Sequence, residues 1–165
     1  MNETLVIGYG NPLRGDDGAG PRAAAAIAAW ELKGVTVMTS HQVLPEMAEA
    51  VSLARAVVFI DAAVGRENAE VDCRPIEPQP TPTVVPHIAS PGALLALADF
   101  VYGRRPPAWW ITIPAVEFGF VEGSSARAQR GLETALVHAR KLLVQLSGER
   151  TELAPRHEPI PACMA

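Results

Sequence analysis

The sequence predicts an α/β fold: a three-layer α/β/α sandwich around a mostly parallel, twisted sheet of about five strands. Short apolar, β-branched segments alternate with longer helical patterns along the chain. The 165 residues are 48% hydrophobic and carry a formal net charge of only −4, so they can bury one substantial core. The segment 56–60 is continuously apolar, which is typical of a central strand covered on both faces.

The first half of the chain supplies three strands and two helices. Strands are predicted at 5–7, 35–39 and 56–60, the last of them ending at Asp61. The first helix is predicted over 23–30, where alanine predominates and allows close approach to a sheet. Apolar spacing predicts the second helix over 44–53.

The second half begins with a predicted edge strand at 71–74. A proline-rich stretch follows and must be an extended loop, because proline lacks the amide donor that helices and central strands need. Ser90 and Pro91 are the expected N-cap and first residue of a third helix, which Gly103 closes. The last strand is predicted at 109–113 and a terminal helix at 124–145.

We expect residues 1–148 to form a single domain. Residues 149–165 contain prolines and little periodicity, and we expect them to form a mobile C-terminal tail.

Composition narrows the classes of partner and compartment. A sequence pI near 5.6 offers no basic field for phosphates, so nucleic acid is not an expected partner. Two cysteines, Cys73 and Cys163, are too few for a disulfide framework, and we expect free thiols. The N-terminus does not resemble a signal peptide, and no apolar run reaches the roughly 20 residues of a membrane span. A cytoplasmic, monomeric protein without membrane contact is predicted.

Candidate functional residues lie where ligands bind in open α/β sheets, beyond the carboxyl ends of the strands. A glycine-rich loop with Asp16 and Asp17 follows the first strand, and Asp61 follows the third. His87 lies on the proline-rich loop. Two carboxylates and one imidazole suit a borderline divalent ion such as nickel or zinc, with positions left open for a substrate.

Each of these residues also has a simpler interpretation. Asp16 or Asp17 could cap the following helix, and Asp61 could bind the amides of the next turn. His41, which follows the second strand, is the alternative imidazole to His87. A dinucleotide site is disfavoured, because Leu13 replaces the third glycine of the fingerprint and two aspartates would face the pyrophosphate.

Four segments in order resemble the [NiFe]-hydrogenase maturation proteases. They are GYGNPLRGDDGAG at 8–20, HQVLPE at 41–46, VFIDA at 58–62 and HIASP at 87–91. The resemblance extends over roughly residues 3 to 146. It implies a twisted sheet between helices and an endopeptidase that removes a C-terminal extension from the hydrogenase large-subunit precursor after nickel insertion.

The resemblance also implies the site and its metal. Asp17, Asp61 and His87 fall on the three metal-contacting positions of the family, and Asp17 and Asp61 are the expected catalytic residues. Such enzymes, sometimes classed with aspartic peptidases, are thought to carry no metal of their own and to recognise Ni²⁺ already bound in the precursor. A non-catalytic nickel or hydrogenase-assembly binding module of the same fold is the alternative function.

Overall fold

The computed structural model describes residues 3–64, 69–79, 90–121 and 123–148. Five strands and four α-helices lie along them and alternate, except that the third and fourth strands are consecutive. They are β1 (Thr4–Tyr9), α1 (Ala19–Ala28), β2 (Val35–Ser40), α2 (Met47–Leu53), β3 (Ala56–Val64), β4 (Asp72–Ile76), α3 (Pro91–Tyr102), β5 (Ala108–Ala115) and α4 (Ala126–Gly148). A 3-10 turn, Gly15–Gly18, precedes α1.

The strands form one sheet in the order β2-β1-β3-β5-β4. The first four strands in this order run parallel, and β4 is an antiparallel edge strand paired with β5. Pro75 lies within β4, a position that an edge strand tolerates because one of its sides needs no amide donor. The predicted mostly parallel sheet of five strands is confirmed.

Two apolar cores lie on opposite faces of the sheet, because successive strand side chains point in opposite directions. On one face, α1 and α4 cover Val6, Val58 and Ile60. On the other face, α2 and α3 cover Leu5, Ile7, Tyr9, Val57 and Phe59. The three-layer α/β/α arrangement predicted from the sequence is therefore present.

Several element boundaries differ from the prediction. The strand β3 does not end at Asp61 but continues to Val64, because β5 pairs with it beyond the point where β1 leaves. Helix α1 begins at Ala19 instead of residue 23, with Pro21 in its first turn, where proline needs no amide partner. Helix α2 begins only at Met47.

The predicted ends of α3 are confirmed. The Ser90 side chain accepts a hydrogen bond from the Ala93 amide at 3.3 Å, and Pro91 occupies the first turn. Gly103 ends the helix in the left-handed conformation, with φ of 64°.

Three further expectations concern the cysteines, membrane-spanning helices and the C-terminal tail. Cys73 on β4 is disulfide-bonded, so the prediction of free thiols is wrong for this residue. No helix in the described ranges is long and apolar enough to cross a membrane. The predicted tail over 149–165 lies outside the described residues, and the domain boundary at 148 stays a prediction.

Candidate active site

The candidate site lies at the carboxyl edge of the sheet, where β1 and β3 part. Their pairing ends with Gly8 opposite Ile60, and the next residues are Tyr9 on β1 and Asp61 on β3. Side-chain alternation places Tyr9 and Asp61 on the face covered by α2 and α3. Beyond Tyr9 the chain turns away through Gly10 into the loop that carries Asp17.

The loop after β1 folds back on itself around Asp17. The Asn11 amide donates to Asp17 Oδ2 at 2.9 Å, and the Asp17 amide donates to the Arg14 carbonyl at 3.1 Å. Gly10 has φ of 134°, and a Cβ added there would lie 2.0 Å from the Asp17 carbonyl oxygen. Only glycine satisfies both conditions, so the sequence around Gly10 dictates where Asp17 sits.

Asp61 is a partly buried carboxyl in an unusual environment. Burial raises the pKa of Asp61 to about 6, although hydrogen bonds from the Tyr9 hydroxyl and the Ala62 amide oppose the shift. The negative charge of Asp17 raises the pKa of Asp61 further, and the 3-10 turn that carries Asp17 packs against β3. The fold therefore brings Asp17 and Asp61 together from positions 44 residues apart in sequence.

Tyr9 is the hydrogen-bond partner of the Asp61 carboxyl group. Its own side chain is buried, with 7% of its surface exposed. Burial and the neighbouring Asp61 charge raise the pKa of the Tyr9 phenol, so it stays a neutral hydrogen-bond donor. The indole of Trp110, on β5, lies beside the Tyr9 hydroxyl and lowers its pKa slightly against these effects. Sequence reasoning missed Tyr9. The sequence feature that could have indicated it is a tyrosine at the end of a buried strand, because a buried tyrosine hydroxyl needs a hydrogen-bond partner.

Asp16 has a role that the sequence did not indicate. Its side chain is 0% exposed and is hydrogen-bonded to the chain that follows β5. Asp16 Oδ2 accepts from the amides of Val116 and Glu117 at 2.9 and 3.0 Å. Ser125 donates its amide to Oδ1 and its hydroxyl to Oδ2, both at 2.7 Å. Burial opposes ionisation, but these hydrogen bonds hold the pKa of Asp16 below its usual value.

Neither aspartate caps a helix. The residue before α1 is Gly18, and no side chain caps either the 3-10 turn or α1. The capping interpretation of Asp16 and Asp17 is therefore wrong, since both carboxylates accept hydrogen bonds from loop amides instead.

Of the two histidines predicted as alternative site residues, the structure describes only His41. His87 lies outside the described residues. His41 follows β2 at the same edge of the sheet and is exposed. Among the described residues, no group of three or more His, Cys, Asp and Glu side chains could hold a metal ion. Asp17 and Asp61 are thus the part of the predicted ligand set whose surroundings the structure gives.

The aromatic residues in the last third of the chain include both core and surface side chains. Trp109 is buried in the core with 2% exposure, whereas 83% of Phe120 is exposed. The Arg14 guanidinium lies over the Phe120 ring, 5.9 Å from its centre, and Arg14 Nε donates to the Phe118 carbonyl at 3.2 Å. Loops after β1 and after β5 therefore border the same side of the site.

The fold and the acid pair define a class of protein: an α/β sandwich with two carboxylates at the carboxyl edge of its sheet. No family model matches the chain, and no curated protein is significantly similar to it in sequence. Solved structures are similar to it over most of its length.

The similar structures carry related names. The hydrogenase maturating endopeptidase HybD from E. coli has a TM-score of 0.70 at 20% identity, over 88% of this chain and 94% of its own. The [NiFe] hydrogenase maturation protease HybD from Thermococcus kodakarensis has a TM-score of 0.65 at 25% identity, over 86% and 99%. HycI, a [NiFe] hydrogenase maturation protease from Thermococcus kodakarensis KOD1, has a TM-score of 0.63 at 19% identity, over 87% and 93%. The chain has the fold of these maturation proteases, and the resemblance predicted from its sequence is confirmed.

Proposed function

We propose that this protein is an endopeptidase that removes the C-terminal extension of a [NiFe]-hydrogenase large-subunit precursor after nickel insertion. The observation that carries the proposal is the meeting of Asp17 and Asp61 at one edge of a fold shared with proteins named hydrogenase maturation proteases. Peptide hydrolysis needs groups that orient the scissile bond and move protons, and a carboxylate pair in two different environments can do both.

Nickel enters as part of the substrate. Asp17, Asp61 and His87 supply ligands to Ni²⁺ already bound in the precursor, and carboxylate and imidazole are donors that this ion accepts. The ion then fixes the precursor at the site and places the scissile peptide beside the two carboxylates. A precursor without nickel lacks these bonds and docks weakly, so the site discriminates between loaded and unloaded substrates.

The environment of Asp61 suits proton transfer at neutral pH. In the free protein, its pKa of about 6 leaves Asp61 mostly ionised at pH 7, the form that can bind Ni²⁺ or accept a proton from the attacking water. Nickel is suited to polarise the water or the scissile carbonyl. The proton taken up by the carboxylate is then available for the leaving amine, which balances the reaction.

Intact-mass analysis tests the proposal directly. A hydrogenase large-subunit precursor is incubated with the protein, with and without bound nickel, and the mass of each sample is measured. We expect loss of a C-terminal peptide from the nickel-loaded precursor alone. Cleavage of both samples would contradict the proposal that the site discriminates between nickel-loaded and unloaded precursor.

Failure to cleave a precursor that a known maturation protease does process would contradict the endopeptidase proposal. Retained binding of the nickel-loaded precursor in that case would favour the non-catalytic assembly module. The proposal places the reaction in the cytoplasm and requires only one copy of the chain.

A further inference from the structure

We infer that Asp16 is a positioning residue that fixes Asp17 by locking the loop after β1 to the chain after β5. The inference rests on the proposed function only for its effect on catalysis, since the lock itself is a property of the fold. The hydrogen bonds to the Asp16 carboxylate come from Val116, Glu117 and Ser125. Asp16 acts on the site through the backbone that it shares with Asp17.

The lock connects two segments through both the main chain and the side chain of Asp16. The Asp16 amide donates to the Glu117 carbonyl at 2.8 Å, while the carboxylate accepts from the Val116, Glu117 and Ser125 amides and the Ser125 hydroxyl. Every donor comes from residues 100 to 109 positions away in sequence. A single fully buried side chain therefore ties the start of the chain to its last third.

Neighbouring contacts reinforce the same connection. Arg22 donates to the Gly15 carbonyl at 3.2 Å and also to the Ser124 hydroxyl. A Cβ added at Gly15 would lie 2.9 Å from the Glu117 carbonyl oxygen, so the two segments are in close backbone contact. The 3-10 turn carrying Asp17 is thus tied to the chain after β5 by the hydrogen bonds of both Asp16 and Arg22.

The arrangement explains why two adjacent aspartates have opposite surroundings. The carboxylate oxygens of Asp16 accept four hydrogen bonds from donors inside the protein. Asp17 is only partly buried, and its Oδ2 accepts one hydrogen bond, from the Asn11 amide. An anchored residue next to a reactive one is the means by which rigid sites hold catalytic groups in place.

Amide hydrogen exchange provides a test that does not depend on protease activity. The variant Asp16→Asn is compared with the wild type at Asn11, whose amide binds Asp17 but has no contact with Asp16, and at Phe59 in the central strand. Loss of charge-assisted hydrogen bonds is expected to speed exchange at Asn11 by about tenfold or more, and by a clearly larger factor than at Phe59. Equal factors at both amides would reduce Asp16 to a general stabilising role and overturn the inference.

A milder pair of variants keeps the test valid if Asp16→Asn does not fold. Ser125→Ala removes one donor to Asp16 and also the oxygen that accepts from the Ala128 amide, whereas Ser125→Thr retains the hydroxyl for both contacts. We expect faster Asn11 exchange in Ser125→Ala and wild-type exchange in Ser125→Thr; unchanged exchange in Ser125→Ala would contradict the inference. In precursor processing, Ser125→Ala should lower kcat more than it raises KM, with recovery in Ser125→Thr. Absence of processing by the wild type would refute the proposed function and leave the exchange result standing.

Discussion

The Tyr9 hydroxyl donates a hydrogen bond to the Asp61 carboxylate across the gap between β1 and β3. Both side chains lie on the same face of the sheet, because Tyr9 and Asp61 directly follow Gly8 and Ile60, the last residues at which β1 pairs with β3. This contact stabilises the ionised form of a carboxyl group that burial and Asp17 push toward the protonated form. The balance of these effects sets the proton affinity of the site.

Tyr9→Phe is expected to raise the pKa of Asp61 above its value of about 6, because the ionised carboxylate loses a donor. Titration of the Asp61 carboxyl carbon by nuclear magnetic resonance measures the change. Tyr102→Phe is the matched control, since Tyr102 is on the surface and should leave Asp61 unaffected. An unchanged or lower pKa in Tyr9→Phe would show that the hydroxyl does not support the carboxylate.

The raised pKa of Asp61 has a defined effect on stability. The native protein holds this proton up to about pH 6, whereas the unfolded chain releases it near 3.8. The contribution of Asp61 to the free energy of unfolding therefore falls as pH rises from 3.8 to 6. Urea unfolding between pH 4 and 7 should show a decline in the free energy of unfolding that is smaller in Asp61→Asn than in the wild type by about 2 kcal/mol.

Asp99→Asn is the control for the stability experiment, because Asp99 is an exposed residue of α3. Its pH dependence should match that of the wild type. A decline in Asp61→Asn as steep as in the wild type would mean that Asp61 is not the group responsible.

Asp17→Asn and Asp61→Asn should both fold and lose processing of the nickel-loaded precursor by about 100-fold or more, the scale on which acid and base groups contribute. Gel or mass assays of precursor cleavage measure the loss, and circular dichroism verifies the fold. Asp99→Asn should process normally. Wild-type processing by either site variant would remove that residue from the catalytic pair.

The third ligand is decided by two alanine variants. His87→Ala is expected to abolish processing, and His41→Ala, which changes an exposed residue at the same edge of the sheet, is expected to retain it. Nickel-dependent binding of the precursor, measured by calorimetry, should weaken only in His87→Ala. The reverse pattern would assign the imidazole role to His41.

Replacement of glycine by alanine is expected to have different effects on stability at two helical positions, Gly20 and Gly148. A Cβ at Gly20 would lie 2.3 Å from the Tyr9 carbonyl oxygen and 2.5 Å from that of Ile60, and both are backbone atoms that cannot move away cheaply. Gly20→Ala should therefore destabilise the protein by about 2 kcal/mol or more. Gly148→Ala, where nothing lies within 4 Å, should be neutral or slightly stabilising. Thermal unfolding compares them, and equal stability would contradict the close contact of α1 with β1 and β3.

The sequence was sufficient to predict the layers and to place Asp17 and Asp61 at the carboxyl edge of the sheet. Periodicity located every strand, and local chemistry located the ends of α3 at Ser90 and Gly103. The position where β3 ends was not predictable, because it depends on pairing with β5, about fifty residues later in the chain. The distinct surroundings of Asp16 and Asp17 were also beyond sequence reasoning, since adjacent identical residues give no local signal and the partners of Asp16 are remote.

The remoteness of those partners has a consequence for how the protein acquires its site. Loops closed between residue 16 and residues 116–125 are entropically costly and form only after intervening strands have paired. Strands β1, β2 and β3 can associate while the last third of the chain is still unfolded, yet Asp16 then has no partner. We therefore expect the site to form late in folding, so that a nascent or C-terminally truncated chain has both aspartates and no fixed geometry between them.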